Sequence, residues 1–359
     1  CNVTNHLSKK DFIDTLTFKH KKFLYPALDA FSSNQIISFF NMHDLELVLE
    51  DNFKYFPKTE KSLSVLEALL KDLNQQHIIY SQGVKEIHQE LNHFKLVTKD
   101  QIYLAKNVIV STGSNSYPST GSSGDGLNFA KHLGIPYIDF TPAETHVYAN
   151  QISTNFKELQ GVSLSQGKVT IKNLKISYQG DLLFTHFGLS GPVIMHLSEF
   201  IDQDIRQSKS SIIEFSFVDI SYDELINIFK SNPKVLLHKI LENYTTKRIV
   251  DTLLTYLHIE SKKIAEISKK DLILISQTFT SFQVTIDRVE DKEKSYVNKG
   301  GIDTKALDPK SMEVKNIKRL YFIGETTDLH GPIGGYNITI ALSTGYLASN
   351  HIIQNTKII

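Results

Sequence analysis

The chain has a single cysteine, Cys1, among its 359 residues. One thiol forms no internal disulfide and supplies no multi-thiolate metal site. It also rules out the paired-cysteine relay of the flavin disulfide reductases, so any redox chemistry must pass electrons directly between cofactor and substrate. An excess of one charge is missing as well, because 39 basic residues balance 39 acidic ones. No basic cluster stands out, and a nucleic-acid partner held mainly by phosphate contacts is not expected. Long apolar runs are absent too. Stretches such as Val235–Leu237 and Ile338–Leu342 fall far below the roughly 18 residues a membrane span needs, so a soluble, cytoplasmic protein with no membrane partner is expected. The opening CNVTNHLSKK lacks both a methionine and the basic-then-apolar pattern of an export leader, and removal of an upstream segment is expected from it. Internal repeats and low-complexity segments are absent.

The apolar fraction of 41% suffices for ordinary cores, and the length is a soft prior for two or three domains. To about Leu49 the spacing is helical, with Ser8 a cap ahead of Phe12, Ile13 and Leu16, and Ser32 or Ser33 a cap ahead of Ile36, Ile37, Phe39 and Phe40. From Ser62 the positions Leu63, Leu66, Leu69, Leu70 and Leu73 predict a helix to about Gln75. Strands are expected at His77–Tyr80, Val84–His88, Phe94–Thr98 and Asn107–Ser111. After Pro142 the texture turns to alternating strands, and from Tyr222 to about Phe282 it is helical. Strand texture returns at Gln283–Val289, and from Lys318 an α/β pattern resumes with a helix to about His351.

Three segments carry chemistry. In LYFIGETTDLHGPIGGYNITIALSTGYLASN, Leu320–Ile323 reads as a buried parallel strand ended by Gly324. Gly331, Gly334 and Gly335 then lead into a helix starting near Gly335. A strand feeding a Gly-rich loop that opens a helix presents free backbone N–H groups to an anion, which favours a phosphate-bearing ligand. Glu325 and Asp328 lie on that loop, where carboxylates accept from ribityl or ribose hydroxyls. In KNVIVSTGSNSYPSTGSSGDG, Thr112 and Gly113 follow the strand Val108–Val110, at the carboxyl end where open α/β sheets bind ligands. A helix is expected near Asp125; a mere crossing loop is an equal reading of this stretch. In LLFTHFGLSGPVIMHLSEF, Ser190 is expected to cap a helix with Pro192 in its first turn, and His186 is a candidate proton donor near neutral pH.

Taken in order, these segments resemble the BaiN-like family of FAD-dependent oxidoreductases, also described as aminoacetone-oxidase-family flavoproteins. The matching phrases are CNVTN, VIVSTGSNSYPSTGSSGDG, LLFTHFGLSGP, VNKGGI, PKSMEVK and GETTDLHGPIGGYN. The resemblance runs nearly end to end and is weak through Tyr222 to Phe282. It implies an α/β chain with a Rossmann-like FAD-binding domain, its first β-α-β incomplete because the G-x-G-x-x-G turn is not present. The expected limits are 1–141 with 295–359 for that domain, 142–220 with 283–294 for an inserted β-barrel-like unit, and 221–282 for an inserted helical unit. Loss of a first strand would leave strand edges and apolar surface uncovered.

For FAD, the resemblance implies contacts at Cys1 and Asn2 near the flavin, the Val84 backbone at the adenine, and Thr112 with Gly113 as a second dinucleotide contact. It places Gly324, Glu325 and Asp328 at the ribityl chain and diphosphate. Gly334, Gly335, Tyr336, Asn337 and Ile338 would set a helix amino end beneath the flavin, where the helix dipole favours the charge of the reduced ring. The expected function is hydride transfer between flavin and a small-molecule substrate. A second nucleotide motif is absent, so NAD(P)H would act as a transient donor, and oxidase and reductase both stay open. The alternatives are a tRNA-modifying flavoprotein, which zero net charge disfavours, and a flavin-binding protein without turnover.

Overall fold

The computed structural model describes residues 1–50 and 53–356. Within it the chain forms two compact units, residues 1–141 with 296–359, and residues 142–295. No helix among the described residues is long and apolar enough to cross a membrane.

In the first unit, Val108–Val110 pairs in parallel with Ile317–Phe322, with Val108 opposite Leu320 and Val110 opposite Phe322. Val108, Val110, Leu320, Tyr321 and Phe322 are all buried, as the unbroken apolar runs of both strands require. The strand Glu313–Val314 pairs antiparallel with the other side of Ile317–Phe322, so Val108–Val110 is an edge strand among the described residues. Each of the two parallel strands runs into a Gly-bearing loop and then a helix, Asp125–His132 after the first and Tyr336–Thr356 after the second. A separate three-stranded meander joins Glu86–Gln89, Phe94–Val97 and Ile102–Ala105.

The helix starts follow local capping chemistry. Ser8 accepts from the Asp11 N–H at the head of Lys9–Thr15, and Ser32 with Gln35 forms a reciprocal box at the head of Ser33–Met42. Gly124, not Asp125, is the cap residue of Asp125–His132, and Gly191, not Ser190, precedes Pro192–Ser208; Ser190 instead ends the strand Gly188–Ser190. The expected strand at His77–Tyr80 does not form. A 3-10 turn occupies Gln75–His77, and Ile79 and Tyr80 are exposed, with no ladder partner among the described residues to hold them extended. The helix from Ser62 ends at Leu70, and it buries Val65 and Ala68 while Leu63, Leu66 and Leu69 face solvent. Two strands arise where helical spacing was expected or nothing was, Leu47–Glu50 and Lys54–Pro57, and they pair with each other and with Thr4–Asn5.

The second unit is built on a sheet whose strand order is Phe282–Ile286, Ser211–Phe215, Ser163–Ile171, Ile176–Phe184, Gly188–Ser190, Val147–Tyr148 and Arg288–Val289. The first and last members are one continuous stretch of chain, separated only by Asp287, so the sheet closes on itself as a small barrel. Asp287 holds the bend: its N–H donates to the Tyr148 carbonyl, and its carboxylate accepts from the Asn150 N–H at 2.6 Å. The helices Tyr222–Ser231, Leu237–Leu241, Lys247–Tyr256 and Lys269–Thr280 bury Leu225, Phe229, Leu237, Ile249, Leu253 and Phe279 in the same core as the strand residues Val169, Ile213 and Val284. Sheet and helices therefore share a single apolar interior.

Candidate functional site

The carboxyl ends of the parallel strands bring together residues that lie far apart in sequence. Beyond Val110, Thr112 accepts from the Gly126 N–H at 3.0 Å, which ties its hydroxyl to the first turn of Asp125–His132. The Gly113 N–H donates to the Thr326 hydroxyl at 3.0 Å, and the Gly324 N–H donates to Thr344 at 3.0 Å. Both dipeptides picked out by sequence thus anchor their loops to protein partners. The fully buried Ser114 hydroxyl donates to Glu325 Oε2 at 3.4 Å. Asn298, 3% exposed, donates through Nδ2 to Asn115 Oδ1 at 3.0 Å and to the Ser114 hydroxyl at 3.5 Å. Asp328 accepts from the Gly300 N–H at 3.2 Å. Ser114, Asn115, Asn298 and Thr326 extend the expected set; Asn298 lies in the VNKGGI phrase, which sequence reading matched without giving any of its residues a role.

The electrostatics of this cluster are those of a site short of water. Burial pushes the Glu325 carboxyl above its ordinary pKa, offset only in part by the Ser114 hydroxyl and His330. Burial pushes Asp328 up as well, against His330, the Gly300 N–H and Lys299.

The second half of the site is the start of the helix Tyr336–Thr356. Asn337 folds back on the loop, accepting from the Gly331 N–H and donating to the Gly331 carbonyl, each at 2.8 Å. The opening segment of the chain docks here: Asn5 donates to the Gly334 carbonyl at 3.4 Å, and Thr4 meets Thr339 hydroxyl to hydroxyl. Gly335 has φ +82°, and a Cβ there would stand 2.5 Å from the Thr4 carbonyl and 2.7 Å from Asn2 Oδ1, so the approach admits only glycine. Tyr336 turns its ring into the core against Phe12 at 4.8 Å, and Ile338 packs against the apolar cluster that includes Ile36 and Phe40. Cys1 is exposed. By helix geometry the first N–H groups of this helix have no intrahelical acceptor.

Two acceptor oxygens in this unit, Asn2 Oδ1 and Asn298 Oδ1, are buried and have no hydrogen-bond partner. Leaving such a group unpaired costs about 1–3 kcal/mol, so a ligand rich in hydroxyl and N–H donors is the natural complement. FAD, with its ribityl and ribose hydroxyls and its flavin imide, has that donor set. The residues present fit it.

Val84 lies in the irregular segment ahead of Glu86–Gln89 and packs on the core of the first unit, outside any strand. His186 belongs to the second unit, where it is exposed in the loop before Gly188–Ser190 and packs edge-on against Phe187 at 4.9 Å. That unit holds another polar group, His146, Tyr148, Arg288 and Glu290, which sequence reading passed over. Its signal is the alternation in HVY and RVE, where the valines enter the core and the polar residues take the opposite face.

The profile described as HI0933-like protein Rossmann domain matches residues 1–351. The chain is 29% identical over 338 residues to a ribosomal RNA dihydrouridine synthase of Haemophilus influenzae, across 88% of this chain and 80% of that protein. It is 24% identical over 364 residues to a 3-dehydro-bile acid delta(4,6)-reductase of Clostridium scindens, across 97% of this chain and 86% of that protein. Among solved structures, GidA of Aquifex aeolicus superposes with a TM-score of 0.35 at 12% identity, across 91% of this chain and 54% of that one, so the chain spans about half the length of that structure.

Proposed function

The chain belongs to the HI0933-like protein Rossmann domain family of FAD-dependent oxidoreductases, and we propose from there that it is a flavin-dependent reductase. Its substrate class is a carbon–carbon double bond conjugated with a carbonyl. Both relatives' names support that chemistry, since dihydrouridine formation and reduction of a 3-oxo-4,6-diene each add hydrogen across such a bond. The observation that carries the cofactor reading is the meeting of Ser114, Asn298 and Glu325 beyond the ends of the parallel strands.

Bound FAD supplies a two-electron carrier. Asn2 and Asn298 offer it their unpaired carbonyl oxygens, and Glu325 and Asp328 offer carboxyl oxygens held in a poorly hydrated setting. The amino end of Tyr336–Thr356, pinned by Asn337, contributes N–H donors and a dipole worth about 0.3–1 kcal/mol for each nearby negative charge, nearer ~2 when partly buried. Cys1, Val84, Thr112 and Gly113 enter the cofactor site by resemblance. NAD(P)H is the proposed transient donor.

A small molecule is the first substrate reading, in keeping with zero net charge. A uridine in RNA is the second, favoured by the Haemophilus relative. The test is to saturate the protein with FAD, follow bleaching of the flavin by NADH or NADPH without oxygen, and then add either a conjugated enone or ribosomal RNA. Reoxidation by the enone supports the first reading, and reoxidation by RNA alone supports the second. A bound flavin that neither nicotinamide reduces defeats the reductase reading.

A further inference from the structure

In the first unit the chain leaves the buried cluster around Ser114 and Asn298 twice, and each time it brings an aromatic ring to the surface. After the buried Ser114 and Ser116 comes Tyr117, 41% exposed, and ahead of the buried Val297 and Asn298 comes Tyr296, 57% exposed. Two residues further in, the segments are tied together, because Asn298 Nδ2 donates to Asn115 Oδ1 at 3.0 Å. The two rings meet as well, with centroids 6.2 Å apart and planes inclined at 54°.

Tyr117 is held there against its own preference. With φ +50° and ψ +65° it carries a bulky side chain in the left-handed region, and the proline at 118 further disfavours helix-like backbone at the residue before it. The turn itself has a use, since the Tyr117 carbonyl accepts from the Thr120 N–H at 2.9 Å and from the Thr120 hydroxyl at 2.8 Å. Glycine would make the same turn without strain. Strained non-glycine residues gather at ligand clamps, and an exposed tyrosine in this conformation directs attention to what its ring can hold.

We propose that Tyr117 and Tyr296 form the platform on which the nicotinamide ring of the transient donor stacks. This rests on the reductase reading above. Two neighbouring π-faces offer a planar ring aromatic surface, and each phenol adds a hydroxyl able to bond the donor's carboxamide. The 6.2 Å between centroids is less than the roughly 7 Å that two stacked contacts of about 3.5 Å need, so the ring lies against the pair and not between its members. An exposed platform suits a molecule that arrives and leaves in every turnover, whereas a resident cofactor belongs with groups as buried as Ser114 and Asn298. Of the donor's two rings only the nicotinamide has to come to the flavin, and the platform stands on the two segments that carry Ser114, Asn115 and Asn298.

The test uses the FAD-saturated full chain with Tyr117→Leu, Tyr296→Leu, both phenylalanine variants and Tyr117→Gly. NAD⁺ and NADP⁺ are the probes, so binding is read without turnover. In proton NMR, saturation transferred from the protein should reach the nicotinamide ring protons of at least one probe in the parent and in both phenylalanine variants. Each leucine variant should bind that probe roughly 3–10-fold more weakly, the scale of one lost ring-on-ring contact, with flavin retention unchanged. Tyr117→Gly should bind as weakly as Tyr117→Leu and yet melt no lower than the parent, because the strain is gone. Transfer to the adenine protons alone, leucine variants that bind as tightly as the parent, or no binding of either probe at millimolar concentration would overturn the proposal. So would a fall in melting temperature in Tyr117→Gly, which would make the ring a structural one. If the ring contact is found but neither NADH nor NADPH bleaches the flavin, the platform stands and the reductase reading alone falls.

Discussion

The hydroxyls of Thr4 and Thr339, 335 positions apart in the chain, meet at 2.8 Å inside the first unit. Thr339 is doubly engaged, since it also donates to the Gly335 carbonyl at 2.7 Å. The pair ties the opening segment to the start of the final helix, the element that the function reading depends on.

Replacing either threonine by valine keeps the shape and removes one hydrogen-bonding group. Thr4→Val and Thr339→Val should each cost about 1–2 kcal/mol. In urea titrations the double variant should cost less than the sum, because its second substitution removes an already widowed partner. Strict additivity would mean that the contact contributes nothing.

Gly335→Ala meets backbone, not a movable side chain. With φ at +82° and the Thr4 carbonyl 2.5 Å from the new methyl, the change should destabilise by about 1–3 kcal/mol and weaken flavin retention. Flavin fluorescence and melting temperature measured together should fall in step.

Glu325 gives a pH signature in the ligand-free protein. Its folded pKa is raised by burial, so as pH climbs from the ordinary carboxyl range toward that raised value the unfolded chain loses its proton first. The folded state then binds more protons than the unfolded state, and stability declines through the window. Glu325→Gln should flatten that decline and melt higher than the parent near neutral pH. An unchanged pH–stability slope would refute the burial argument.

Phe279 joins the helix Lys269–Thr280 to the barrel core and is fully buried. Phe279→Ala should cost about 3–5 kcal/mol. Hydrogen exchange should then speed up together in Tyr222–Thr280 and in the strands Ser163–Ile171 and Ser211–Phe215, because they share one interior. Loss of protection in the helices alone would mean that the helices and the barrel fold separately.

Local chemistry made much of the fold legible. The Ser8 and Ser32 helix starts, the strand at Val108 and the strand–loop–helix from Leu320 all follow from caps, apolar runs and glycines. What escaped depends on partners distant in sequence. Ile79 and Tyr80 have strand propensity but no neighbouring ladder among the described residues. The leucines after Ser62 repeat at helical spacing, yet packing selects Val65 and Ala68 instead. The glycine-rich half of the candidate site was visible as a motif. Asn298 was not, since its role appears only once Val297–Ile302 lies beside Ser114 and Asn115. The pairing of His146 with Glu290 depends on strand register, which sequence alone left open.

Asp287 gives the barrel a narrow tolerance. A single residue inserted beside it would rotate every following side chain by half a turn about the strand. Val289 would swing out to water and the Glu290 carboxylate would be driven among the aliphatics, while the last rung of the ring lost its partner. Closure of the barrel and the pairing of Glu290 with His146 and Tyr148 are thus keyed to the same one-residue spacing, and a lineage that shifts it must surrender both at once.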